Sequence, residues 1–549
     1  MKLDYNKANE TFVLRVPRAR RDIDAFMNEH GLDLSAPAST AETAVFFTKE
    51  PYAALPFAEK FGTTRAKEVL AAMQKEYDAS WAKAGTGHYP VPYGLELWPF
   101  QVADLDYCRT RSNILVGDQP GLGKTQVAIA LANERQARRI LVIVPAAIRG
   151  QWVKRIREWT TMKFPYHVHL IRSSKDGTHP NAQWTVVSYE LARSEAIGRA
   201  LAKDHYDLLI LDEGHYLKSI DARRTRAVFG GGENPLFDPL SSRADNVLAL
   251  TGTPLPNRPR EAYTLARGLN WDAIDYMSED HFRERFNPSR KIEKWDEAEH
   301  RVKVFTDERT GRHAELQARM RVNFMSRHLK RGPDGVMDQL KLPKFDIIEL
   351  DETDAAVRQA LAAERLLDID PENLEGADVA TFGGAIATVR QQMGVAMAPL
   401  VCDYLDMLID GGEKKLVVFA WHTEVLDILE ARLSKYGLVR YRPGQGASNE
   451  QKKNRFLKDP AVDFIIGNVL TLGTGTDGLQ DVAWHALLAE PDWVHGQNEQ
   501  CFDRLDRGGQ RRTVQGDIFV IPGSFAERVL AKALRKGQIA EKALDRRIA

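Results

Sequence analysis

The chain has 549 residues, 43% hydrophobic and 28% charged, which is too long for one compact core and excludes a disordered or fibrous class. Basic and acidic side chains number 76 each, so a uniformly basic surface is excluded and any polyanion must meet positive charge concentrated in a cleft. The three scattered cysteines, Cys108, Cys402 and Cys501, exclude a disulfide framework, and the longest apolar run, nine residues at 140–148, falls short of the about 18 that a membrane span needs; the expectation is a soluble, intracellular protein.

Residues 1–90 read as a small α+β accessory segment. A strand-like run at 11–16 leads into a basic cluster, Arg15, Arg18, Arg20 and Arg21, followed by a helical face carrying Leu70, Met73, Tyr77 and Trp81. With seven basic and eight acidic residues in 1–58, that cluster is expected to be a solvated face.

From 91 to 270, apolar runs at 113–116, 140–144, 185–188, 208–211 and 247–250 alternate with helical stretches, the pattern of a parallel sheet covered on both faces. Residues 271–344 read as a charge-rich helical insertion or linker with a polar stretch at 291–301. A second alternating block, 345–549, has strands near 345–350, 415–420, 463–467 and 517–521 and a helical insertion at 351–410. The fold class is thus α/β, with two parallel-sheet lobes, helical insertions and the N-terminal α+β segment. The end of the chain, 525–549, holds seven basic and three acidic residues on an amphipathic pattern and is expected to brace the second lobe.

The first strand runs into Gly117-Asp-Gln-Pro-Gly-Leu-Gly-Lys-Thr125 and then a helix. Glycines at such a turn let backbone N–H groups approach phosphate oxygens, and the helix N-terminus adds partial positive charge. Lys124 is placed to reach β- and γ-phosphates and Thr125 to ligate Mg²⁺, with Asp118, Gly121, Leu122 and Gly123 completing the nucleotide loop. Asp118 stands where GxxxxGK[ST] has its first glycine.

Downstream, the apolar run 207–211 ends in Asp212-Glu-Gly-His215, and open α/β sheets place ligand chemistry at such strand ends. Asp212 suits the metal, and Glu213 suits orienting or deprotonating an attacking water. Gln101, ahead of the loop strand, can bond the N6/N7 edge of adenine. In the second lobe, Arg504 and Arg507 are three apart, on one helical face, and would stabilise charge on a transferring phosphoryl group.

The ordered set of 97–101, 121–125, 144–145, 212–215, 251–254, 417–422, 475–480 and 500–510 resembles the Swi/Snf-type branch of superfamily 2 helicase-like ATPases. The likeness covers 95–530 and is greatest to the annealing-helicase (HARP-type) members, on 250–259, 416–422 and 503–510. It implies two RecA-like lobes of P-loop NTPase type closing over ATP and Mg²⁺, with DNA crossing the cleft. Carried over, Lys124, Glu213, Arg504 and Arg507 are catalytic, Thr125 and Asp212 hold metal, and Gln101 and Gly478 contact the nucleotide. Pro145, Thr251, Gly475 and Thr476 fall in motifs that touch the nucleic acid or couple it to the nucleotide. The chain departs from the family pattern at Gln119-Pro120, at Thr474 and Thr476, at Asp506 (usually His) and at Gly508 (usually Ile).

The leading expectation is an ATP-driven translocase on double-stranded DNA, nucleoid-associated in a bacterium or nuclear in a eukaryote. The alternatives are a strand-separating, fork-remodelling or annealing helicase on DNA or RNA, and a nonhydrolysing adaptor in a restriction or repair complex. Residues 1–90 do not match an annealing module.

Overall fold

The computed structural model describes residues 1–17, 32–34, 38–40, 42–49, 51–162, 167–231, 237–255, 259–296, 301–308, 312–337, 340–341, 343–366, 376–492, 495–531 and 534. Arg18, Arg20 and Arg21 of the basic cluster, and all but the first residues of the basic C-terminal stretch, lie outside them.

The N-terminal segment pairs Lys2–Asn6, Thr11–Pro17, Thr43–Thr48 and Asp33–Leu34, in that order, into an antiparallel sheet. Phe12, Leu14, Phe46, Ala54 and Leu70 form its core with the helices Pro51–Phe61 and Thr64–Ala79. The second helix ends at Ala79, so Trp81 lies just past the expected helical face; it packs with Tyr77 against Ala318 and Val322 of the next unit.

The first lobe is a seven-stranded sheet in the order Met325–Ser326, Asn113–Val116, Val247–Leu250, Leu208–Leu211, Ile140–Val144, Trp184–Ser188 and Val168–Leu170, every pair parallel. Ile140–Val144 is buried at every position, as an unbroken apolar run must be when helices cover both faces. Three neighbouring strands therefore deliver the ends of the phosphate loop, the acidic pair and Thr251 side by side.

Two expectations for 271–344 are corrected. The polar stretch is a β-hairpin, Ser289–Asp296 paired antiparallel with Arg301–Glu308. Alternation there is of period two (Ile292, Val302, Val304), which suits strands. The segment is also no mere linker: Phe282, Phe286, Leu316, Met320 and Phe324 join the first lobe's core, and Met325–Ser326 adds a strand to its sheet.

The second lobe is a six-stranded parallel sheet in the order Lys344–Glu349, Gln515–Val520, His485–Leu488, Leu416–Ala420, Phe464–Asn468 and Leu438–Arg440. The helices Ala355–Leu366 and Gly376–Asp410 fill the expected insertion. A stretch of the latter, Gly384–Asp410, is by length and composition apolar enough to cross a membrane, but Met393, Met397, Val401, Cys402 and Leu405 are buried in the lobe's core. All three cysteines are free and buried.

Candidate active site between the lobes

The phosphate loop turns from Val116 into the helix Lys124–Glu134 through two left-handed residues, Gly121 (φ 86°) and Gly123 (φ 80°). A side chain at either would be strained and would press on a neighbour. A Cβ on Gly123 would come 2.3 Å from Gln101 Nε2, and one on Gly121 would come 2.8 Å from Arg507 Cβ. Lys124 Nζ donates to its own loop's Asp118 carbonyl (2.7 Å), with Gln119 O at 3.4 Å. Burial pulls its pKa down, while Glu213, Asp118 and Asp212 pull it up.

At the end of Leu208–Leu211, Asp212 and Glu213 face this lysine across a cleft of about 410 Å³. Asp212 Oδ2 accepts from Trp152 Nε1 (2.6 Å) and Oδ1 from the Glu213 N–H (2.9 Å). Burial and the neighbouring Glu213 charge push Asp212 up to about 6. Burial acts the same way on Glu213, but His215, Lys124 and Arg504 outweigh it and hold that carboxyl below its ordinary value. Glu213 Oε2 stands 3.3 Å from His215 Nδ1, which meets Thr251 Oγ1 at 3.0 Å. Thr253 N–H donates to the same Thr251 hydroxyl (3.1 Å), and Thr253 Cγ2 lies 3.1 Å from the Cβ position of Gly496 in the second lobe. Polar contacts thus run from the acidic pair to Thr251 and Thr253, and the Thr253 methyl group abuts the facing lobe.

Arg504 and Arg507 complete the cleft from the second lobe. Arg504 is buried; its Nε donates to Gln500 O (3.2 Å) and Nη1 to Thr476 O (3.4 Å). Burial and the Arg507 charge pull it down to about 10, so it stays cationic at neutral pH. Arg507 Nη1 donates to Asp477 Oδ1 (3.1 Å), and Asp477 also pairs with Arg155 of the first lobe. Burial raises the Asp477 pKa, but Arg507 and Arg155 overcome this and hold it at about 2.

The cleft brings together Gln101, Gly121, Leu122, Gly123, Lys124, Thr125, Asp212, Glu213, Arg504 and Arg507. Gln101 is engaged with the loop itself: its Nε2 donates to Leu122 O (3.0 Å) and its Oε1 accepts from Trp98 N–H (3.0 Å).

Other expected contacts fall elsewhere. Asp118 points away from the cleft: its Oδ1 accepts from the His328 N–H (2.8 Å) and lies 3.0 Å from His328 Nδ1, behind the loop. A carboxylate aimed at phosphates would repel them, and here it is neutralised by an imidazole instead. Gly478 (φ 92°) does not line the cleft but turns the chain so that Asp477 and Gln480 do.

Pro145, Thr251 and Thr476 are buried; of the two roles expected of their motifs, touching the nucleic acid or coupling it to the nucleotide, burial suits these side chains to the second. Thr476 Oγ1 donates to Leu472 O (3.0 Å) while its carbonyl supports Arg504. Gly475 ends the helix Val469–Gly475 just before it.

Sequence reasoning missed Trp152, Trp98, Asp477 and Arg155. Trp98, within the motif at 97–101, and Asp477, within that at 475–480, carried a signal; Trp152 and Arg155 carried none. Trp98 is half exposed at the cleft wall, beside Gln101.

A phosphate loop and an acidic strand end facing two arginines of a second parallel-sheet lobe define the class, a helicase-like P-loop ATPase core. The chain belongs to the SNF2-related domain family, whose model matches residues 66–352, just over half of its length. It is 27% identical over 469 residues to DNA annealing helicase and endonuclease ZRANB3 of Mus musculus, covering 82% of this chain and 41% of that protein. It is 25% identical over 440 residues to SWI/SNF-related matrix-associated actin-dependent regulator of chromatin subfamily A-like protein 1 of Xenopus tropicalis, covering 78% and 43%. The chain thus spans about two fifths of the length of these relatives. The Sulfolobus solfataricus SWI2/SNF2 ATPase core in complex with dsDNA aligns over 84% of this chain and 99% of its own, at 16% identity and a TM-score of 0.38.

Proposed function

We propose that the chain is an ATP-dependent motor that translocates along or remodels double-stranded DNA, hydrolysing ATP between its lobes. The observation that carries this is the division of the site: Lys124, Asp212 and Glu213 come from one lobe, Arg504 and Arg507 from the other, and all line one cleft. Such a site is complete only when the lobes meet, so a ligand spanning both can control turnover.

The residues fit a nucleotide with its metal. The cleft over the loop has room, about 410 Å³, Lys124 Nζ bonds only its own loop's carbonyls among the described residues, and Glu213 Oε2 is buried with the His215 imidazole 3.3 Å away. Thr125 and Asp212 would hold Mg²⁺, which when bound neutralises charge on the β- and γ-phosphates. Lys124 exchanges its loop carbonyls for phosphate oxygens. Glu213, ionised and steadied by His215, orients the attacking water and takes its proton. Arg504 and Arg507, already stripped of much of their water, meet the charge that develops on the transferred group. Trp98 offers a face for the base beside Gln101.

DNA as partner is supported by family membership and by the relatives' names, which also favour a location at the chromosome. The name annealing helicase favours a second reading, action on branched DNA. Phosphate release measured with duplex, single-stranded, forked and RNA ligands separates these: duplex stimulation supports translocation, preference for forks supports remodelling, and indifference to all four overturns both.

A further inference from the structure

Closure of the cleft involves a segment outside the motif series. After the helix His313–Asn323, residues 324–330 run beside the phosphate loop. The N–H groups of Leu115, Gly117 and Gln119 donate to the carbonyls of Phe324 (2.7 Å), Ser326 (2.7 Å) and His328 (3.1 Å). The Lys330 N–H donates to Gln119 Oε1 (2.7 Å). The segment then loops round to lie parallel with itself, Val336 N–H to Leu329 O (2.9 Å) and Met337 N–H to Lys330 O (2.9 Å), and lays Met337 over Leu122 and Phe100.

From this loop two cations cross to the second lobe. Lys330 Nζ bonds the Asp503 carboxylate and the Asp506 carbonyl, and lies 3.3 Å from Asp506 Oδ2. Arg331 grips both oxygens of Asp506, with Nη1 at 2.7 Å from Oδ2. Asp506 and Lys330 are almost fully buried, at 7% and 4% side-chain exposure, so the pairs are shielded from solvent. Burial raises the Asp506 pKa, but Arg331 and Lys330 outweigh it and keep the group ionised.

Asp503 and Asp506 alternate with Arg504 and Arg507 on one turn, and Arg507 Nε donates to the Asp503 carbonyl (2.9 Å). Fixing the two acids therefore fixes the two arginines. The bidentate Arg331 fork sets an angle as well as a distance. Two departures from the family pattern, Gln119 and Asp506, meet on this one segment.

We propose that Asp506 is a positioning residue: held by Lys330 and Arg331 across the cleft, it locks the 503–507 turn against the phosphate loop and aims Arg504 and Arg507. The proposal rests on the ATPase reading above and names how that site is closed.

The test uses the full chain with linear duplex DNA. Asp506→Asn and Arg331→Ala should each lower kcat for ATP by at least about 30-fold, leaving affinity for a fluorescent nucleotide within about twofold. The double variant should be little worse than either single one, because both break one contact. Arg331→Lys, which keeps the charge but not the fork, should recover part of the rate. Small-angle scattering should show Asp506→Asn more extended than the parent.

Parental kcat in either single variant overturns the proposal, as do losses that multiply in the double variant or nucleotide affinity falling in step with kcat. A parent that hydrolyses no ATP with any nucleic acid overturns the ATPase reading instead. The scattering comparison then still decides the latch: equal dimensions for parent and Asp506→Asn overturn it.

Discussion

Arg507 lies directly on Gly121: a Cβ at the glycine would fall 2.8 Å from the arginine's own Cβ, with the lobe boundary running between them. The phosphate loop and the arginine turn are therefore in van der Waals contact, and the contact exists because one partner has no side chain. Gly121→Ala should fold, since the left-handed backbone costs an alanine about 1–2 kcal/mol. It should hold the lobes apart, cutting DNA-stimulated ATP turnover at least about tenfold, a loss near 1.4 kcal/mol. Turnover at the parental rate would show that this approach is dispensable.

The two halves of the site should fail in different ways. Lys124→Ala is expected to lose nucleotide binding, because no other lysine lines the cleft among the described residues. Glu213→Gln and Arg504→Ala should bind nucleotide yet hydrolyse it about 10³-fold more slowly, since both act on the developing transition state. Equilibrium binding of a fluorescent nucleotide, set beside single-turnover hydrolysis, separates the two classes.

Trp152 donates to Asp212 Oδ2 across 2.6 Å. Trp152→Phe keeps the apolar packing and removes the donor. Hydrogen bonds to charged groups are worth about 1.5–3 kcal/mol, so kcat/KM should fall about 10- to 100-fold with little change in Tm. An unchanged kcat/KM would show that backbone contacts alone hold Asp212.

His328 sits between Asp104 and Asp118, with Nδ1 at 3.2 Å and 3.0 Å from their Oδ1 atoms and Nε2 at 2.9 Å from Ala82 O. Burial lowers the histidine's pKa, but the two carboxylates overcome this and raise it well above 6.5; burial and the Asp118 charge push Asp104 up to about 7. A histidine whose pKa rises on folding contributes stability that is full below its unfolded value of 6.5 and is lost as pH climbs through the folded value. Ionisation of Asp104 acts in the same direction. His328→Gln should cost about 3–5 kcal/mol at neutral pH or below, by leaving two buried carboxyls uncompensated. The gap between parent and variant, measured by denaturant unfolding from pH 6 upward, should narrow with rising pH. A gap that widened would contradict a cationic His328.

Much of this was legible in the amino-acid order. Apolar runs announced the strands carrying the phosphate loop and Asp212, because a strand buried on both faces cannot hide its composition. Spacing alone put Lys124 beside Thr125 and Arg504 beside Arg507. The hairpin within 289–308 was read as a helical, polar region because charge masked its period of two. Met325–Ser326 is too short to show periodicity. For Thr251 and Thr476 the resemblance offered two roles, touching the nucleic acid or coupling it to the nucleotide, and could not show that they brace His215 and Arg504 from inside. Asp506 could be marked only as a departure. Its partners, Lys330 and Arg331, lie 175 residues or more away along the chain, and no local pattern joins them.

The central claim is that a single ATP site is assembled from two lobes under the control of duplex DNA. Phosphate release by parent and Arg507→Ala, each with and without duplex, tests it most directly. Duplex should raise the parental rate at least about tenfold and leave Arg507→Ala inactive at undiminished ATP affinity. A parental rate indifferent to DNA, or an Arg507→Ala variant as fast as its parent, would contradict it.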